Sequence, residues 1–212
     1  MKRIILSIIV AGIGGLCFCA SPAQAEPITI AIEAKVDSVE DRDGYLGGKI
    51  KPGDIITGTY TYDSSTPDSS PSDPIQGNYW HYAPPAGISL TVGGFDFRTD
   101  PSSVEFCILI RNNNMSGYDI YGIDSRNNVP LSNGTLVGYI LWQLNDPTAG
   151  ALASDGLPTT PPSLEQWQAN VFRLGADRAY LVDAHVTSAI PEPATVMLLT
   201  LGGLLLRFRT KR

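Results

Sequence analysis

Apolar and polar residues alternate along "ITIAIEAKVDSVE" near the start of the chain, placing Ile28, Ile30, Ile32, Ala34 and Val36 on one face. A period of two is the mark of a half-buried strand. A turn-rich stretch, "DRDGYLGGKIKPGD", separates it from "IITGTYTYD" (Ile55 to Asp63), which is β-branched and aromatic and again strand-like. "GISLTVGGFDFRTD" reads as two strands, Ile88 to Val92 and Phe95 to Thr99. The Gly93-Gly94 pair between them is a hairpin signal, because both residues tolerate positive φ. "SVEFCILIRNNN", "GYDIYGID" and "GTLVGYILWQLND" continue the texture, and "RAYLVDAHVTS" forms a last strand. One segment departs from it. "PPSLEQWQANVF" has Ser163 followed three positions later by Gln166, a capping-box spacing, and carries Leu164, Trp167 and Val171 at helical intervals. The pattern therefore predicts an all-β domain, a β-sandwich of jelly-roll type with one short helix, and a barrel as the alternative closure. The polar Ser/Pro/Asp stretch from Asp63 to Gly77 is expected to be a loop within that domain.

Both ends of the chain break the alternation. "MKRIILSIIVAGIGGLCFCASPAQAEP" has a basic start at Lys2 and Arg3, an apolar run, and Ala23-Gln24-Ala25, the small-residue pattern a signal peptidase accepts. Residues 1–25 are expected to be a signal helix that leaves Glu26 as the first mature residue. Residues 26–189 are then the β-domain, and 190–212 a separate closing segment. That segment, "IPEPATVMLLTLGGLLLRFRTKR", holds a largely apolar run of 13 residues, Ala194 to Leu206, before a basic end. At 1.5 Å per residue they span about 20 Å as a helix, short of the roughly 30 Å hydrocarbon core. A polar face, which a surface helix needs, is missing. The basic end favours a cytoplasmic position and leaves the β-domain outside.

Charge sharpens this division. Between Glu26 and Ile190 there are 20 Asp and Glu against 9 Lys and Arg, a net of −11; the first segment adds +2 and the tail +3, giving −6 overall. A strongly acidic domain argues against nucleic acid, whose binding needs clustered cations. Removing the signal would take Cys17 and Cys19 with it, leaving Cys107 alone in an apolar strand. Neither an internal disulfide nor a cysteine metal site can then form.

Candidate chemistry is sparse. No nucleophile elbow, zinc-binding H-E-x-x-H or phosphate-cradling glycine loop occurs, and the domain is not expected to be an enzyme. His185 lies two residues from Asp183, on the same face of its strand. Calcium is the one cofactor the residues raise. "DRDG" (Asp41, Asp43, Gly44) resembles the middle of an EF-hand loop, but Val39 and Ile50 stand where its first and last ligands belong, and a plain turn accounts for it equally. The cluster "NYWHYAPP" offers Tyr79, Trp80, His81 and Tyr82 as candidate ligand contacts, a stacking platform for a sugar. Strand alternation would bury one pair of the four and leave the other facing solvent.

The order Pro191-Glu192-Pro193, short apolar segment, then Arg207, Arg209, Lys211 and Arg212 closely resembles the PEP-CTERM sorting signal of Gram-negative bacteria. The resemblance covers about the last 23 residues. It implies recognition and removal of the tail by a membrane enzyme of the exosortase type, membrane association through the closing segment before that, and a destination at the cell surface or in the extracellular matrix, alongside exopolysaccharide. The expectation is an exported structural or adhesive protein, with a carbohydrate-binding module acting on exopolysaccharide as the alternative and a polysaccharide hydrolase behind it.

Overall fold

The computed structural model describes residues 27–113, 116–177 and 179–192. The expected signal helix and the expected hydrophobic helix of the tail lie outside these residues. Among those described, no helix is long and apolar enough to cross a membrane.

The domain is all-β. Ten strands form: β1 (Pro27–Asp41), β2 (Ile55–Asp63), β3 (Gln76–His81), β4 (Gly87–Val92), β5 (Phe95–Arg98), β6 (Phe106–Arg111), β7 (Asp119–Ser125), β8 (Tyr139–Asp146), β9 (Ala169–Ala176) and β10 (Tyr180–Pro191). All join in one antiparallel sheet of order β3-β6-β7-β8-β9-β10-β1-β2-β4-β5. The turn between β4 and β5 has Gly93 and Gly94 at φ of 58° and 77°, the doubly positive geometry that a two-residue hairpin requires.

The expected sandwich of two separate sheets gives way to a single curled sheet. The cause is the β1–β10 ladder, which runs from Ile30 opposite Pro191 to Asp41 opposite Tyr180 and joins what would otherwise be two sheets. Register shifts between Glu33 and Ala34 and between Val36 and Ser38 interrupt this ladder. Such bulges bend and twist a strand, letting the sheet fold over without breaking.

The two halves then meet across one core. Tyr60 of β2 packs edge-on against Trp142 of β8 at 6.2 Å, and Trp142 packs edge-on against Tyr121 of β7 at 5.6 Å. The Tyr60 and Tyr121 hydroxyls share a hydrogen bond of 3.0 Å. Trp142 Nε1–H donates to Asn170 Oδ1 (3.1 Å). Burial pushes the Tyr121 phenol well above its usual range.

Each sheet edge is covered, as an antiparallel sheet that avoids edge-to-edge pairing must arrange. Along β3 runs the Asp63–Gly77 loop, whose Ser69 N–H donates to Asn78 O (2.9 Å) and whose Asp68 carboxylate accepts the Asn78 N–H (2.7 Å). Beyond β5, Thr99 Oγ1 accepts the Ile88 N–H (2.9 Å) and bonds Ser125 Oγ (2.7 Å), while Val129 N–H donates to Arg98 O (2.9 Å).

The short helix expected over 163–171 is a second correction. Only Leu164–Gln166 forms a 3-10 turn, Ser163 makes no side-chain cap, and Ala169–Ala176 is strand β9. Ladders to β8 on one side and β10 on the other satisfy its backbone. Two-sided pairing outweighs a weak local preference for helix. Trp167 fits the core as a buried plug beside the turn, so its spacing from Leu164 does not define a helical face.

Candidate ligand-binding cleft

Strand β3 positions the aromatic cluster. Its residues pair with β6, setting Tyr79 opposite Ile108, Trp80 opposite Cys107 and His81 opposite Phe106. Alternation sends Tyr79 and His81 into the core and leaves Trp80 and Tyr82 outside, Tyr82 with 70% of its surface exposed. The inward pair anchors loops: Tyr79 Oη–H donates to Asp155 O (2.9 Å), and His81 Nε2 accepts the Asp63 N–H (3.2 Å) beside Thr66 Oγ1 (2.9 Å). Burial holds the His81 imidazole below its ordinary value. Its Nδ1 is buried without a partner. The Thr66 contact ties the loop to β3.

The outward pair forms the ledge. The Trp80 and Tyr82 rings lie 6.2 Å apart at 11°, close to parallel. Arg126 stacks on Trp80 at 4.7 Å from the ring centre, and Asp124 (2.9 Å) and Glu105 (3.7 Å) hold its guanidinium. Beside the ledge opens a cleft of about 340 Å³, walled by Ser65, Thr66, Trp80, Tyr82 and the cis Pro84-Pro85 pair. Ser65 Oγ–H donates to Asp63 Oδ1 (2.7 Å). That bond, with the Ser65 N–H on the same carboxylate, lowers the Asp63 pKa. Two flat rings beside hydroxyls and a carboxylate can stack on a sugar's apolar face and hydrogen-bond its rim.

No family model, no curated protein and no solved structure matches this chain. The site is therefore read from its own geometry.

The remaining sequence candidates separate. His185 Nδ1–H donates to Asp37 (2.8 Å), in the second bulge of β1, while Asp183 binds Arg173 Nε (2.7 Å). The His185–Asp183 neighbourhood seen in the sequence is not a contact pair. In "DRDG", both Asp41 oxygens accept backbone N–H groups, from Tyr45 (2.7 Å) and Leu46 (2.8 Å). This carboxylate closes a turn. Among the described residues no group of three or more His, Cys, Asp and Glu gathers to hold a metal ion. Cys107 is buried in β6, and desolvation pushes its thiol up to about 12. Pro191 ends β10, and the Glu192 N–H donates to Thr29 O (2.9 Å), so the first two residues of the triplet continue the sheet. Pro193 lies outside the described residues.

Two buried carboxylates have no counterpart in the sequence reading. Asp119 accepts the N–H groups of Asn113 and Leu152 (both 2.8 Å), and Asp146 accepts those of Thr148 and Gly150 (both 2.9 Å). They face each other across the β7–β8 register and fasten the loops there.

Proposed function

We propose that the chain is an exported, C-terminally sorted protein of the cell surface or extracellular matrix whose β-domain holds exopolysaccharide at the Trp80–Tyr82 ledge. The observation that carries this reading is the outward, near-parallel pair bordering a hydroxyl-lined cleft. The role is structural or adhesive, and turnover is not required of it. The fold is read as sandwich-like, two halves of one sheet facing across the Tyr60–Tyr121–Trp142 contacts.

Sorting rests on the sequence of the closing segment. One residue, Pro193, separates Glu192 from the apolar run, which ends in four cations. A processing enzyme of the exosortase type, acting in the membrane, is the partner this order suggests. Calcium is not needed for the proposal.

Two measurements test the two parts. On a glycan array the wild type is expected to bind a defined set of polysaccharides, and Trp80→Ala to lose at least tenfold in affinity, about 1.4 kcal/mol, which lies within the roughly 1–3 kcal/mol that a flat ring stacked on an aromatic side chain contributes in base recognition. Trp80 is partly exposed, so the variant should keep the wild-type melting transition. Equal binding by both proteins would remove the ledge from the account. Intact-mass analysis of protein from its native host should give a species that lacks the basic end. A mass retaining Arg212 would count against tail removal.

A further inference from the structure

A second groove, about 270 Å³, lies on the outer face of β2, β4 and β5 and shares the Pro84-Pro85-Ala86 wall with the aromatic cleft. Register decides what it presents. Thr59 of β2 is opposite Ser89 of β4, and Ser89 is opposite Arg98 of β5. Directly opposed residues in antiparallel strands share a face, so two hydroxyls and a guanidinium form one row across three strands spaced about 4.8 Å apart. Thr61 stands one row nearer the aromatic cleft and is opposite Gly87, which projects no side chain. Gly87 has φ of 140°, and a Cβ there would come within 2.9 Å of Thr99. The Thr61 hydroxyl borders the groove while sharing a hydrogen bond with Thr29 Oγ1 (3.0 Å).

Arg98 differs from the other cations of this region. Arg126 and Arg173 each have a carboxylate within 3 Å, and Arg111 Nε–H donates to Gln76 (2.6 Å). The Arg98 guanidinium has no ion pair or hydrogen bond of its own among the described residues. The acids flanking it make their hydrogen bonds elsewhere: Asp96 accepts the Thr91 hydroxyl (3.1 Å), and Asp100 accepts the N–H (2.8 Å) and hydroxyl (2.7 Å) of Ser102, which lower its pKa with a smaller contribution from the charge of Arg98. What remains is a solvent-facing planar fork of donors, which matches a carboxylate in a way an ammonium does not.

We infer that this groove is an acid-sugar subsite, in which Arg98 takes the carboxylate of a uronic acid unit and Thr59, Thr61 and Ser89 bind its hydroxyls. The inference rests on the reading of the neighbouring ledge as a polysaccharide surface, and it names the polymer class. The shared proline wall joins ledge and groove, so one chain lies across both: a sugar face on Trp80 and Tyr82, and a charged neighbour beside Arg98. An otherwise strongly acidic domain repels a polyanion from the rest of its surface, which confines binding to the furrow.

The test uses an oligogalacturonate hexamer and the same hexamer with its carboxyl groups reduced to alcohols, titrated by calorimetry into wild type, Arg98→Gln, Arg98→Lys and Trp80→Ala. Wild type should prefer the acidic hexamer by about tenfold. Arg98→Gln should abolish that preference while leaving the reduced hexamer unaffected, and Arg98→Lys should recover only part of it. Trp80→Ala should weaken both hexamers alike. If wild type binds both equally and Arg98→Gln changes nothing, the acid subsite is overturned and the ledge stands. If wild type binds neither hexamer, the acid subsite is likewise overturned, and the glycan array then decides the ledge separately. Circular dichroism of Arg98→Gln should match wild type, since the side chain is exposed on an edge strand.

Discussion

Trp142→Ala should lower the unfolding free energy by about 3–5 kcal/mol, the range for large aromatic truncations in a packed core. Trp142 is fully buried and joins the two halves of the sheet, touching Tyr60 on β2 and Tyr121 on β7. Removing it empties a span where facing strands meet through three aromatic rings. Its hydrogen bond is a small part of the cost, because Asn170 Oδ1 also accepts the Val186 N–H (3.2 Å) and stays satisfied. Trp142→Phe should therefore cost far less, about 1–2 kcal/mol. Against a typical total of about 5–15 kcal/mol, the alanine variant leaves a thin margin. Urea unfolding followed by circular dichroism measures both. A loss under 1 kcal/mol for Trp142→Ala would mean the facing halves do not depend on this contact.

Asp119→Ala is expected to cost about 2–5 kcal/mol through a different mechanism. The carboxylate is fully buried and accepts two backbone N–H groups, from Asn113 and Leu152, at opposite sides of a loop junction. Alanine strands both donors, and a hydrogen bond to a charged acceptor contributes about 1.5–3 kcal/mol. Asp119→Asn keeps one acceptor oxygen and should lose roughly half as much. Urea unfolding gives the totals, and amide hydrogen exchange locates them: protection should fall first at Asn113 and Leu152. Unchanged exchange at both amides in the alanine variant would show that the carboxylate is not what holds these loops.

The strands that could be read from the sequence are those with one buried face. In β1 the alternation of Ile30, Ile32, Ala34 and Val36 is the burial pattern itself, and the Gly93-Gly94 hairpin follows from backbone sterics alone. β9 was hidden because Leu164, Trp167 and Val171 have helical spacing, while the decisive fact is backbone pairing with β8 and β10, remote in sequence. The same remoteness concealed the single sheet. Nothing local in "ITIAIEAKVDSVE" says that its partner is "YLVDAHVTSAIP". Alternation shows that one pair of the four faces outward, but that the pair is Trp80 and Tyr82 is set by burial of Tyr79 and His81 in the core. Arg98 was not legible, because a lone cation becomes part of a row only when register sets it opposite Ser89, and Ser89 opposite Thr59. Asp119 and Asp146 were equally invisible among 20 acidic residues, since burial and not identity marks them.

The β1–β10 ladder also governs when this domain can exist. The first and last of its ten strands are central neighbours, with Ile32 opposite Ala189. The ladders that do not involve β10 can form on a partial chain, but those of β10 with β1 and β9 must wait for residues made at the far end. Contacts so distant in sequence are slow to close, because the chain loses its loop entropy before the contact rewards it. A polypeptide with β10 still missing has one whole edge of β1 unpaired and its core open to water. Closure of the domain therefore waits on the arrival of β10, the strand that gives β1 its second partner.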